Sequence, residues 1–247
     1  MKGYLVSRNY SAKSLKQRRS ILGRFADAFD PICGDADAFL SWWATTEHLS
    51  PASRRSTLQA VDGWLSWLVQ KGARADNPAK LVRKPTVPKR PPLVLNAAEV
   101  RRLRNVVAGT RLELPVALML DNGLRLSEVV AIGHDDLVDG DWLRVLGKGG
   151  KLAIIPASQR VVRLWPDTGD PWQLSTSSLH KSVKAAMADA GIGRQHGPHS
   201  LRRTAGTEMA ARGVPLAVVA AVLRHEGLGS LHHYVAVGRD DMRAAVA

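Results

Sequence analysis

Apolar residues recur at helical intervals along most of this chain and alternate in one short central stretch, so the pattern predicts helices on either side of a small β segment. In 11–30, Leu15, Ile21, Leu22, Phe25 and Phe29 share one face, with Lys13, Lys16, Arg18, Arg19 and Arg24 between them. That reads as a basic amphipathic helix. A second helix is expected over 35–46, and a third opens at Ser50-Pro51, where Ser suits the N-cap and Pro the first helical position. Leu58, Val61, Leu65 and Leu68 continue it as an apolar stripe, and Arg54, Arg55 and Gln59 fall off that stripe. Gly72 ends the helix, and Asp76-Asn77-Pro78 opens a short further one. Trp42, Trp43, Trp64 and Trp67 are assigned mostly to the core.

The pattern breaks at 84–92, where closely spaced prolines deny a helix and favour extended chain. We read three parts: a helical domain over 1–83, a basic linker over 84–92 and a second domain over 93–247. In the second domain, Asn96 with Glu99 three residues on has the form of a capping box, starting a helix through Val107. Another helix covers 112–121, before a turn at Asn122-Gly123. Between 136 and 155 two β-rich runs flank Gly147-Lys148-Gly149-Gly150, which predicts a hairpin with Lys148 at its tip. From Ser175 the helical pattern returns, punctuated by glycines. The fold class expected is mainly α, a helical bundle followed by an α+β domain with a small antiparallel sheet.

Charge adds a partner. The formal net charge of +13 and a pI near 10.5 favour a polyanion, because clustered Lys and Arg release counterions from nucleic acid. Residues 1–92 hold 16 Lys and Arg against 7 Asp and Glu, whereas 93–247 hold 19 against 15, so the excess lies at the front. Lys13, Arg18, Arg19, Arg54 and Arg55 are the candidate contacts to double-stranded DNA, with a solvated helix face as the plain alternative for each. The single cysteine, Cys33, excludes a disulfide framework and a Cys-rich zinc site. The first residues lack the apolar core of a signal peptide, and the longest apolar run, 214–223, is too short to span a bilayer. A cytoplasmic protein without membrane partners is therefore expected.

The chemistry is carried by a scattered set: Arg125 in Asn-Gly-Leu-Arg-Leu-Ser-Glu, Lys148 in the hairpin, His199 and Arg202 in His-Ser-Leu-Arg, His225 in Leu-Arg-His, and Tyr234. Two guanidiniums, an ammonium, two imidazoles and a phenol are what a phosphodiester transesterification needs when no metal carries the charge. Arg125 and Arg202 can offer paired donors to phosphate oxygens and stay charged at working pH. A phenol with a free pKa of about 10 becomes a nucleophile only beside positive charge or a proton acceptor. Singly each residue has an ordinary reading: a solvated arginine, a cationic turn, a half-buried tyrosine. His199, His225, His232 and His233 lack the carboxylate or Cys spacing of a metal site. No metal or cofactor is expected.

Taken together, the order and spacing of these residues resemble the tyrosine recombinases, the family of phage integrases and Xer-type resolvases, over nearly the whole chain. The resemblance implies that Tyr234 attacks the scissile phosphate to form a 3'-phosphotyrosyl link and a free 5'-hydroxyl. It implies that Lys148 protonates the leaving 5' oxygen, with Lys151 as the alternative. His199 would assist proton transfer, His225 would donate to the phosphate, and Glu128 would orient Arg125. The fold implied is a core-binding helical domain followed by the catalytic domain, with four protomers acting on two core-type sites. The expected role is integration and excision of a mobile element of phage type, with any directionality factor or host protein unspecified. Residues 238–247 are the segment available for exchange between protomers. With core-binding helices expected to start near residue 1, no arm-binding domain is expected. Two departures stand out, Arg224 where the family usually has Gly and Arg203 where it commonly has His. The rivals are a type IB topoisomerase and a non-catalytic DNA-binding protein of recombinase descent.

Overall fold

In the computed structural model, which describes residues 1–88, 93–147, 150–167, 174–224 and 243, the chain divides into two compact units, Met1–Arg90 and Pro91–Ala247. The division falls inside the proline-rich segment.

Among its described residues the first unit has helices only: α1 (Lys2–Val6), α2 (Ala12–Ala28), α3 (Ala36–Ala44), a 3-10 turn (Thr45–His48), α4 (Pro51–Gln70) and a second 3-10 turn (Pro78–Leu81). Its starts are set by side chains that satisfy orphan amides. Ser11 accepts from the Ser14 amide, Asp35 from Ala38 and Ser50 from Ser53. The apolar faces meet in an aromatic cluster. Phe25 stacks on Phe29 at 4.9 Å and meets Trp42 edge-on at 4.5 Å, with Phe39 and Trp64 around them. Trp42, Trp43 and Trp64 are buried and Trp67 packs at the margin of the cluster. Arg74, 7 % exposed, ties the unit's far end together by donating to the carbonyls of Pro31, Gly34 and Asp76. Helix α1 escaped the periodicity reading, because five residues are too few to show a period and only packing buries Tyr4 and Leu5.

The second unit contains α5 (Ala97–Val107), α6 (Glu113–Leu120), α7 (Leu126–Ala131), β1 (Leu137–Val138), β2 (Trp142–Leu146), β3 (Leu152–Pro156), α8 (Gln159–Leu164), α9 (Thr176–Asp189), α10 (Pro198–Ala211) and α11 (Leu216–Val222). Helix α5 begins with the expected capping box, Asn96 and Glu99 exchanging bonds at 2.9 Å. Every residue of α6 from Leu114 to Leu120 is buried, so this helix is apolar all round and forms the centre of the unit. The sheet is an antiparallel β1-β2-β3 meander, with Leu143 opposite Ile155 and Leu146 opposite Leu152. Leu143 and Val145 of β2 point into the core. The meander has one strand more than the hairpin read from sequence, since a two-residue strand leaves no alternation to see. The six-residue α8 was missed for the same reason. Among the described residues no helix is long and apolar enough to cross a membrane.

Candidate active site

The site begins with a turn. Asn122, fully buried, donates from Nδ2 to the Pro156 carbonyl at 2.7 Å, and its Oδ1 accepts from the Ser158 amide at 3.2 Å. The end of α6 is thereby fastened to the end of β3. Gly123 follows with φ +63, in the left-handed region that glycine occupies without penalty. A Cβ there would also run into Leu223. The turn delivers Arg125 to the N-cap of α7, where its amide donates to Glu128 Oε2 at 2.7 Å and its Nη1 to Glu128 Oε1 at 2.6 Å.

Helix α10 supplies the other side. His199 stands exposed in its first turn, and Arg202, one turn later, is 2 % exposed. Arg202 donates from Nη1 to the Gly123 carbonyl at 2.5 Å and from Nη2 to the Leu223 carbonyl. It braces the turn that carries Arg125 and the end of α11 at once. Burial, with Arg125 and Arg224 nearby, pushes the Arg202 guanidinium down to about 9, which leaves it charged at neutral pH.

Arg224 completes the arrangement. Its Nη2 donates to Glu128 Oε2 at 2.7 Å, and its carbonyl accepts from Arg125 Nη2 at 3.2 Å. Glu128 therefore has three guanidiniums within 4 Å: Arg125 at 2.6 Å, Arg224 at 2.7 Å and Arg202 at 3.7 Å. Burial alone would raise this carboxyl, but Arg224 and the Arg125 amide and guanidinium outweigh it and hold the group below the ordinary range. Three positive groups against one negative leave a surplus of two positive charges around a carboxylate that is 3 % exposed.

Arg125, His199 and Arg202 border one groove of about 440 Å³, together with His180, Lys184 and Arg203. Lys184 is anchored at its wall, its Nζ donating to the carbonyls of Arg194 and His196 at 2.6 Å. Guanidinium donors fixed by carbonyls and a carboxylate have the make-up of a preorganised anion receptor, the kind that can stabilise developing negative charge without reorganisation. Lys148, His225 and Tyr234 lie outside the described residues. Arg224 was read from sequence only as a departure; no pattern marks an arginine that will take positive φ. Asn122 and Gly123 were read as a turn, without their fastening to β3.

In the first unit, the basic candidates separate. Arg19 and Arg55 are exposed. Arg18 lies over the Tyr10 ring at 4.7 Å. Arg54 stacks on Trp43 at 4.5 Å, and its Nε donates to Thr46 Oγ1 at 3.0 Å. Lys13 sits in the first turn of α2, its side chain outside the described part.

Comparison with known proteins sets this geometry in context. Residues 94–240 match the model of the phage integrase family. The chain is 29 % identical to the tyrosine recombinase XerC of Xanthomonas campestris pv. campestris, over 93 % of this chain and 80 % of that protein. It is 27 % identical to the tyrosine recombinase XerD of Caulobacter vibrioides, over 93 % of this chain and 85 % of that protein. Among solved structures, the integrase from mycobacterium phage Brujita is 27 % identical with a TM-score of 0.56, covering 99 % of this chain and 88 % of that one. A lambda integrase (75-356) dimer bound to a COC' core site has a TM-score of 0.77 at 15 % identity, over 96 % of this chain and 98 % of that one, a likeness of fold.

Proposed function

Because this chain belongs to the phage integrase family and is a tyrosine site-specific recombinase, we propose that it integrates and excises a phage-type mobile element through the groove bordered by Arg125, His199 and Arg202. The observation that supports this most is the convergence of three guanidiniums on Glu128 beside that groove. Arg125 and Arg202 bind the scissile phosphate, and Glu128 keeps Arg125 in register. Tyr234 attacks phosphorus as its phenolic proton passes to His199. The new bond joins its oxygen to the 3' phosphate, the bond to the 5' oxygen breaks, and that oxygen takes a proton from Lys148. His199 and His225 assist in proton transfer and phosphate contact. The phosphotyrosyl link keeps the energy of the diester, so a 5'-hydroxyl from a second strand reverses the step without ATP and completes strand exchange.

The first unit is assigned to core-site binding and the second to catalysis, with four protomers on two duplex sites. Arg19 and Arg55, both exposed, are the contacts best supported among the basic candidates.

The test is adduct trapping. A nicked duplex carrying the sequence that the protein enriches from a random pool should yield a covalent protein–DNA species, and Tyr234→Phe should yield none. Adduct formation by the Phe variant refutes the nucleophile. Plasmid relaxation without recombinant products would instead assign the chain to the topoisomerase-like reading.

A further inference from the structure

Arg224 combines an uncommon backbone angle with a buried ion pair. Its φ is 52, in the left-handed region where a side chain is disfavoured, and it directly follows the last turn of α11. A residue at such an angle persists where its surroundings determine it. Here they do so from both ends of the residue. The side chain, 10 % exposed, donates through Nη2 to Glu128 Oε2 and through Nη1 to the Val222 carbonyl, both at 2.7 Å. The carbonyl, meanwhile, accepts from Arg125 Nη2 at 3.2 Å.

That carbonyl belongs to the peptide unit that joins Arg224 to His225, and Tyr234 lies nine residues beyond His225. Glu128 thus reaches the same peptide by two routes, once through the Arg224 side chain and once through Arg125. We propose that Arg224 is a positioning residue for strand cleavage: its ion pair with Glu128 fixes the peptide entering His225 relative to Arg125, and so sets where the nucleophile segment departs from the phosphate-binding groups. The proposal rests on the assignment of Arg125, His225 and Tyr234 to the chemistry. A glycine at 224 would take the angle freely but could not reach Glu128, leaving the peptide held by Arg125 alone. A positioning role differs from phosphate binding, which would appear in affinity and its salt dependence. It also differs from a purely stabilising ion pair, which would leave cleavage by the folded protein unchanged.

The experiment measures single-turnover cleavage of the nicked duplex at saturating protein, with duplex affinity and thermal unfolding recorded for every variant. Arg224→Gly is expected to slow cleavage about ten- to hundredfold, the scale of a small misplacement of reacting groups, while affinity changes less than about threefold. Arg224→Lys, which keeps the charge facing Glu128, should recover part of that rate. Glu128→Gln should be slow as well, and adding Arg224→Gly to it should cost little more, because both act through one ion pair. Wild-type cleavage by Arg224→Gly overturns the proposal. So does a loss that tracks affinity, or a double variant whose defect is the product of the single ones. Should Arg224→Gly fail to fold, Arg224→Lys carries the test, and a folded Lys variant with cleavage no better than Glu128→Gln counts against the ion pair. Absence of any adduct from the unsubstituted protein overturns the nucleophile assignment itself, and this proposal with it.

Discussion

Replacing Glu128 with Ala should be among the most damaging single changes to the second unit. The carboxylate is 3 % exposed and accepts from the Arg125 amide at 2.7 Å and from the Arg125 and Arg224 guanidiniums at 2.6 and 2.7 Å. Arg202, itself 2 % exposed, stands 3.7 Å away. Without Glu128, Arg202 and Arg224 keep their charges in a poorly solvated site with no counter-charge, and removing one partner of a buried pair costs about 3–5 kcal/mol. For a protein of this size that corresponds to a fall in Tm of roughly 6–20 °C. Glu128→Gln keeps the shape and an acceptor for the Arg125 amide, so its loss should be nearer that of a charge-assisted hydrogen bond, about 1.5–3 kcal/mol. Thermal unfolding followed by far-UV circular dichroism reads both. The pH dependence fixes the sign. Because the folded protein holds this carboxyl below its ordinary value of 4.5, the stability it contributes is fully present above that pH and fades as acid titrates the group in the folded state. The gap between the unsubstituted protein and Glu128→Gln should therefore close below about pH 4.5 and stay open at neutral pH. A Glu128→Ala variant that melts within 2 °C of the parent, equivalent to about 1 kcal/mol or less, or a gap that widens in acid, would refute the reasoning.

Other outcomes follow from the same contacts. Gly123→Ala places a methyl group against Leu223 at a φ of +63, and should lower stability by about 1–3 kcal/mol as an overpacked site does, read by urea unfolding. It should also slow cleavage, since the Gly123 carbonyl is an anchor of Arg202. Asn122→Ala strands the Pro156 carbonyl and the Ser158 amide, each worth about 1–3 kcal/mol when buried and unpaired, so its urea unfolding midpoint should fall clearly below that of the parent. In the first unit, Arg19→Ala with Arg55→Ala should reduce the slope of log affinity against log salt for duplex DNA by about 1.8, at roughly 0.9 per phosphate contact. Arg54→Ala should leave that slope unchanged and lower stability instead, because this side chain is spent on Trp43 and Thr46.

Much of this molecule was legible in the order of its residues. Leu58, Val61, Leu65 and Leu68 mark the buried face of α4 because a helix returns to the same side every 3.6 residues. Ser11, Asp35, Ser50 and Asn96 mark helix starts because short polar side chains bond local amides. The prolines of 84–92 mark the region where the two units divide, since helices cannot run through them. Elements of two to six residues, such as β1, α1 and α8, escaped because so short a segment completes too little of any period.

Residue types and spacing likewise put guanidiniums, imidazoles and a phenol on offer, since the identity of each group is set by the chain alone. Which of them meet was decided by tertiary structure alone. Arg125 and Arg224 are 99 positions apart, and Gly123 and Arg202 are 79 apart, so their bonds exist only once α7, α10 and α11 have packed. Arg54 and Arg55 are adjacent in the chain, yet one is spent on Trp43 and the other faces solvent. Arg224 looked like an odd residue beside a histidine. Folding gave it a buried carboxylate as partner, because desolvated charges must pair, and that pairing is a three-dimensional fact.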